Sequence, residues 1–267
     1  MPYIETNKIK MYYEKQGAGE PLLLIMGITA TGTVWDKHAA VWQNKFTCIM
    51  PDNRGVGLSD APPGPYTSAQ MADDYAGLLE VLQIEKIKVV GCSMGSIIAQ
   101  QLAIRHPEKI SAIVLMCPWA RCDEKAKAIF YNMMNCKAKL SPDEFMLYLQ
   151  LLIFSKQYWD DPRNVANLKT DRLQSIDADS HQTLEGLRSQ SQACISHNVI
   201  DELYKILQPV LVIGGGEDIF TPPWMAKEMA ENIPQAVLHL YKGCGHAFHW
   251  EAIDDFNPCV LNWLMTN

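Results

Sequence analysis

The 267-residue sequence has no run of about 18 uncharged apolar residues, so it offers no candidate for a membrane-spanning helix. It is also short of cations, with 23 Lys and Arg against 30 Asp and Glu, a formal charge of −7 and a pI near 5.5. Clustered Lys and Arg are what hold a phosphate backbone, so a nucleic-acid partner is disfavoured. Met1-Pro2-Tyr3-Ile4-Glu5 has neither the basic start nor the apolar core of an export signal, and a cytoplasmic location is expected. The eight cysteines (48, 92, 117, 122, 136, 194, 244, 259) form no CxxC pair and no Cys/His cluster at zinc-ligand spacing. Free thiols, no metal and no cofactor are therefore expected. Repeats and low-complexity tracts are missing as well.

What is present suits a well-packed globular chain, 48% hydrophobic and 20% charged. Short apolar runs recur: Ile9 to Glu14, Pro21 to Met26, Phe46 to Met50, Ile87 to Cys92, Ile110 to Cys117, Val210 to Ile213 and Val237 to Tyr241. Continuous runs of this length read as strands buried on both faces. Helical patterns lie between them, from Thr67 to Leu82 behind a capping box at Thr67 and Gln70, and from Met94 to His106 ahead of Pro107. This alternation predicts an α/β fold with a mostly parallel sheet covered by helices on both faces. It breaks between residues 119 and 206, where helical patterns follow one another. The expected organisation is a core of residues 1–118 and 207–267 with an inserted helical lid at 119–206. Pro142 to Ser155 is apolar nearly all round, so it is expected to be sandwiched between lid and cleft.

Gly91-Cys92-Ser93-Met94-Gly95 follows one of these strands and opens a helix. A serine on such a tight strand-to-helix turn is exposed for attack, and the helix N-terminus adds a positive dipole end beside it. Ser96 lies inside the helix, and Cys92 is expected to point into the sheet. A serine hydroxyl needs a base, and histidine suits that task near neutral pH. Of seven histidines, His246 sits in a glycine-rich loop (Gly243-Cys244-Gly245) directly after a late strand. His249, three residues on, is the rival. The turn at Ser93 resembles the nucleophile turn of α/β-hydrolases, and that resemblance implies an orienting acid between serine and base in the chain. Asp218 is preferred, after Val210 to Ile213 and the run Gly214-Gly215-Gly216; Glu217 and Asp123 are alternatives. An oxyanion forming at the attacked carbonyl needs aimed donors; the same resemblance implies the backbone N–H after the nucleophile and one from the loop after an early strand, which map to Met94 and Ile28.

With these residues in place, the chain resembles the α/β-hydrolase superfamily from its early strand to its last helix. Asp52-Asn53-Arg54-Gly55-Val56-Gly57-Leu58-Ser59-Asp60, its extension through Tyr66, and Gly216 to Pro223 look like 3-oxoadipate enol-lactonases and carboxylesterases. Met26-Gly27 stands where the family usually has His-Gly, and is more like aclacinomycin-type methylesterases. The resemblance implies a cofactor-independent carboxylic ester hydrolase working through an acyl-enzyme on Ser93, Asp218 and His246. It implies a small, fairly hydrophobic ester or lactone as substrate. An anionic lactone would require a cation in the lid, for which Arg121, Arg163, Arg172 and Arg188 are candidates, although the first reading of these arginines is as solvated surface charges. C–C bond hydrolysis and perhydrolysis are possible on the same triad, whereas haloalkane dehalogenation needs a carboxylate where Ser93 stands. A ligand receptor that keeps the triad is the alternative from another class.

Overall fold

The computed structural model describes residues 2–176 and 182–267. Its strands are β1 (Tyr3–Thr6), β2 (Ile9–Gln16), β3 (Glu20–Ile25), β4 (Phe46–Pro51), β5 (Ile87–Cys92), β6 (Ile110–Met116), β7 (Val210–Gly215) and β8 (Ala236–Tyr241). They form one sheet in the order β1-β2-β4-β3-β5-β6-β7-β8. The first two junctions, β1 with β2 and β2 with β4, are antiparallel. Every later junction is parallel. β1 was not expected from the sequence, since four residues at an antiparallel edge give too short a pattern to stand out.

Before the insertion come α1 (Asp36–Trp42), α2 (Ser68–Val81) and α3 (Met94–Arg105). The insertion contains α4 (Glu124–Lys139), α5 (Pro142–Ile153), α6 (Lys156–Trp159), α7 (Pro162–Ile176) and α8 (Leu184–Ser196), and the chain closes with α9 (Pro223–Asn232), α10 (Phe248–Glu251) and α11 (Ile253–Thr266). Side chains alternate across each strand, so neighbouring residues serve opposite layers. Val89, Ile113 and Val212 pack with α2 and α3, while Val90, Val114 and Leu211 pack with α1 and α11. This explains why β5 and β7 are buried along their whole length. Of the box expected at the start of α2, the Thr67 half forms, with Thr67 Oγ1 accepting the Gln70 N–H at 3.0 Å.

Among the described residues, no strand of the sheet falls between Met116 and Val210, and residues 177–181 of the expected insertion lie outside the description. The two ends of the helical segment are tied together where Val199 N–H donates to the Ala120 carbonyl at 2.8 Å, beside a bridge between Arg121 and Asn198. α5 buries Phe145, Leu149 and Gln150 but leaves Leu151 55% exposed, so the helix is covered on most of its circumference rather than all of it. No described helix is long and apolar enough to cross a membrane. All eight cysteines are free.

Candidate active site

The candidate residues converge at the carboxyl ends of β3, β5, β7 and β8, where crossovers of a parallel sheet leave a crevice. Ser93 joins β5 to α3 with φ 53° and ψ −117°, a conformation that side-chain-bearing residues rarely adopt. The turn is held by Ser93 N–H on the Met116 carbonyl at 2.8 Å and by Ser96 Oγ on the Ser93 carbonyl at 2.6 Å. Ser96 is thereby accounted for as a buried strut. The flanking glycines are required by space. A Cβ on Gly91 would stand 2.4 Å from the Gly95 carbonyl oxygen, and one on Gly95 would stand 2.1 Å from that of Ile25.

His246 lies in the loop between β8 and α10, and its Nδ1 is 2.7 Å from Asp218 Oδ2. Asp218 is fully engaged: Oδ1 accepts the Phe220 and Thr221 N–H groups at 2.8 and 2.9 Å, and Oδ2 also accepts Thr221 Oγ1 at 2.8 Å. A carboxylate so held acts as a fixed acceptor, which makes Nδ1 the protonated nitrogen of a neutral His246 and leaves Nε2 as its basic atom. Burial acts to lower the His246 pKa; the Asp218 charge and hydrogen bond outweigh it, and the net direction is upward. Ser93 Oγ and His246 Nε2 have no hydrogen-bond partner among the described residues, and both residues line one cavity of about 420 Å³. Catalytic contacts of this kind are often loose until substrate is present.

The rival residues are placed elsewhere. Asp123 caps α4, its Oδ1 accepting the Ala126 N–H at 2.7 Å. Glu217 is exposed to solvent. His249 lines the cavity, but its Nδ1 is 2.9 Å from His38 Nε2, and His38 Nδ1 is in turn 2.7 Å from Asn257 Oδ1. Burial drives the His249 pKa well below its ordinary value, so it is a neutral ring in a packed relay. Cys92 is buried on the sheet face covered by α1 and α11 and also borders the cavity.

Ile28 lines the cavity; the Met94 side chain is buried in the core, and its N–H is the first of α3. Neither N–H has a hydrogen-bond partner among the described residues. The loop that carries Ile28 is positioned by Asn53, which lies in the Asp52 to Asp60 segment although its task is not legible there. Asn53 Nδ2 donates to the Met26 carbonyl at 2.9 Å and Asn53 Oδ1 accepts Tyr75 OH at 2.8 Å. Glu251 performs a similar task for the histidine loop: its Oε1 accepts the Gly245 and Ser155 N–H groups at 3.0 and 2.8 Å. The contacts of Asn53 with Met26 and of Glu251 with Ser155 join segments 27 and 96 residues apart, which no local pattern reveals.

Cys117 Sγ, Asp218 and His246 bring three possible metal-ligand atoms within 4.8 Å of one another. Their contacts do not suit a cation, because both Asp218 oxygens are taken by hydrogen bonds and the Cys117 thiol is engaged with the backbone. That thiol donates to the His246 carbonyl at 3.0 Å and steadies the loop.

The cavity wall is mainly apolar, with Met133, Phe145, Met146, Leu149 and Ile153 contributed by α4 and α5. None of Arg121, Arg163, Arg172 or Arg188 lines it; they face Glu228, Asp161, Asp143 and Glu185 respectively. Arg121, Arg163 and Arg188 are thus placed as surface charges and Arg172 as a half-buried one, rather than as cavity cations. The lysine or arginine that lines the cavity among the described residues is Lys137, on the last turn of α4.

Comparison with known proteins agrees with this fold. Residues 20–253 match the family model described as the alpha/beta hydrolase fold. A Mycobacterium tuberculosis protein (strain CDC 1551 / Oshkosh) bearing the name non-heme bromoperoxidase BpoC is 31% identical over 263 residues, 96% of this chain and 97% of that protein. A Caulobacter sp. (strain K31) protein bearing the name carbamate hydrolase RutD is 28% identical over 261 residues, 95% of each. Among solved structures, the enol-lactonase of Burkholderia xenovorans LB400 superposes with a TM-score of 0.89 at 25% identity, covering 99% of this chain and 100% of that one. A thermophilic esterase from Thermogutta terrifontis gives 0.84 at 26% identity, covering 97% and 94%.

Proposed function

The chain belongs to the alpha/beta hydrolase fold family, and from that premise we propose that it is a serine hydrolase of carboxylic esters acting on a small, largely apolar substrate. The observation that carries the reading is the 2.7 Å contact of His246 Nδ1 with Asp218, in a cavity shared with a serine held at positive φ. In the proposed sequence His246 Nε2 takes the Ser93 proton as Oγ attacks the ester carbonyl. The Ile28 and Met94 N–H groups receive the developing oxyanion. The tetrahedral intermediate collapses, the alcohol leaves with the proton held on His246, and an acyl-Ser93 remains. Water deprotonated by the same histidine then releases the acid and restores Ser93.

Residues 119–206 are read as a lid over a core of residues 1–118 and 207–267. Support comes from the tie between Ala120 and Val199 at the foot of the segment and from the walls that α4 and α5 lend to the cavity. A lactone is a cyclic ester, and the same groups would open it; the likeness to an enol-lactonase structure keeps this substrate form within the proposal. The test is a set of p-nitrophenyl esters of rising acyl length beside several lactones, each with wild type and with Ser93→Ala. Steady multiple turnover that disappears with Ser93 is expected. A single slow turnover accompanied by a ligand-dependent melting shift would point to a receptor instead.

A further inference from the structure

The charge on the cavity wall is one-sided. Among the described lining residues Lys137 is the only lysine or arginine, and no aspartate or glutamate accompanies it. Most other cations of the insertion have a carboxylate partner, Lys127 with Glu124, Lys156 with Asp160, Lys205 with Glu202 and the four arginines with the acids named above. Lys125, Lys139 and Lys169 have none at ion-pair distance among the described residues but are exposed to solvent, whereas Lys137 is half-buried.

Lys137 has no carboxylate at ion-pair distance among the described residues, and its Nζ lies over the Phe145 ring, 5.0 Å from the centroid. Met133, one helical turn earlier, and Phe145, Met146 and Leu149 of α5 share the same wall. An ammonium set among such groups is partly stripped of water, and burial lowers its pKa. The ring face offsets some of that cost, as cation–π contacts do. A negative charge entering the cavity would offset more, because opposite charges interact more strongly where water is excluded.

We propose that Lys137 is the anchor for a carboxylate on the substrate, which makes the preferred substrate class an anionic ester or lactone. The carboxylate sits at Lys137, the scissile carbonyl at Ser93, and an apolar spacer lies between them against Phe145, Met146 and Leu149. This substrate class rests on the serine-hydrolase reading above; the anion site itself does not.

Two measurements separate them. In the first, hydrolysis of monoethyl glutarate, adipate and pimelate is compared with that of ethyl pentanoate, hexanoate and heptanoate by pH-stat. Wild type is expected to favour the anionic member of at least one pair, chiefly through KM. Lys137→Met is expected to cut that ratio of kcat/KM roughly five- to tenfold, between the worth of an exposed and a buried charge pair, and Lys137→Arg to retain most of it. A wild-type ratio near one for every pair, or a ratio that survives Lys137→Met, overturns the proposal while leaving the serine hydrolase intact. In the second, adipate binding to the wild type and to Lys137→Met is followed by calorimetry, which needs no turnover. Binding that is weakened by the substitution, with no ester hydrolysed, would sink the hydrolase reading and keep the anion site. Equal adipate affinity in both proteins would remove the anion site.

Discussion

His246 Nδ1 and Asp218 Oδ2 lie 2.7 Å apart although they come from loops after two different strands, 28 residues apart in the chain. The parallel pairing of β7 with β8 brings the two loops to the same edge of the sheet, so the contact is a product of register. Thr221 and the Phe220 N–H then fix the carboxylate, which fixes the ring.

A pH dependence follows from that contact. Burial alone would depress His246, and the Asp218 carboxylate reverses the direction. A base that acts in its neutral form loses activity as pH falls through its pKa. The acid limb of kcat/KM on a p-nitrophenyl ester is therefore expected to have its midpoint above the 6.5 of an unperturbed imidazole. Asp218→Asn is expected to lower kcat by about 10⁴ and to move that limb to lower pH.

The strained turn at Ser93 sets activity against stability. With φ at 53° and ψ at −117°, the position suits glycine better than serine. Ser93→Gly is expected to raise the unfolding free energy by roughly 1 kcal/mol, strain relief being partly offset by a more flexible unfolded chain. Turnover should vanish in the same protein. Gly95→Ala should do the reverse to stability, since its Cβ would press on the Ile25 carbonyl. Urea unfolding of the three proteins checks both directions.

Arg54 and Asp74 form a buried two-point ion pair, with Arg54 Nε 2.6 Å from Asp74 Oδ2 and Nη2 2.5 Å from Oδ1. It joins the segment after β4 to α2. Removing one partner strands a charge in the core. Arg54→Met is expected to cost about 3–5 kcal/mol, and adding Asp74→Leu to recover part of it. If the single substitution proved neutral in urea unfolding, the pair would have no part in holding this segment.

Two buried histidines should make the fold acid-sensitive. His197, between Ser68 Oγ at 2.8 Å and Gln100 Oε1 at 3.2 Å, is pushed down by burial to about 3. His38 is pushed down by burial to about 4, against the opposing pull of its Asn257 bond. Unfolded, both titrate near 6.5, so below that pH the unfolded chain binds more protons than the folded one. Stability present above pH 6.5 is then lost as pH falls toward 4. Each ring should account for about 2 kcal/mol between pH 7 and pH 5. His197→Gln should shrink that difference by the same amount, whatever it does to stability at pH 7.

The sheet strands after β1, the turn at Ser93 and the loops of Asp218 and His246 were legible because each is a local pattern: an apolar run, a glycine-flanked serine, a strand exit. What escaped was set by contacts across the fold. β1 is only four residues long and gains its identity from pairing with β2. Asn53 lies inside the Asp52 to Asp60 segment, but its reach to Met26 is not readable there, and Glu251 matters because it holds Ser155, 96 residues away, together with Gly245. Four arginines looked eligible to face the cavity, yet Lys137 does, because α4 turns its last lysines to different surroundings and only the packed structure tells them apart.

Mixing the protein with p-nitrophenyl butyrate, quenching in acid within the first turnovers and mapping peptides by mass spectrometry tests the nucleophile directly. The expected result is a butyryl group on Ser93, missing from Ser93→Ala together with turnover. Full esterase activity in Ser93→Ala, or an acyl group found on Cys92 or His246 instead, would contradict the assignment of Ser93.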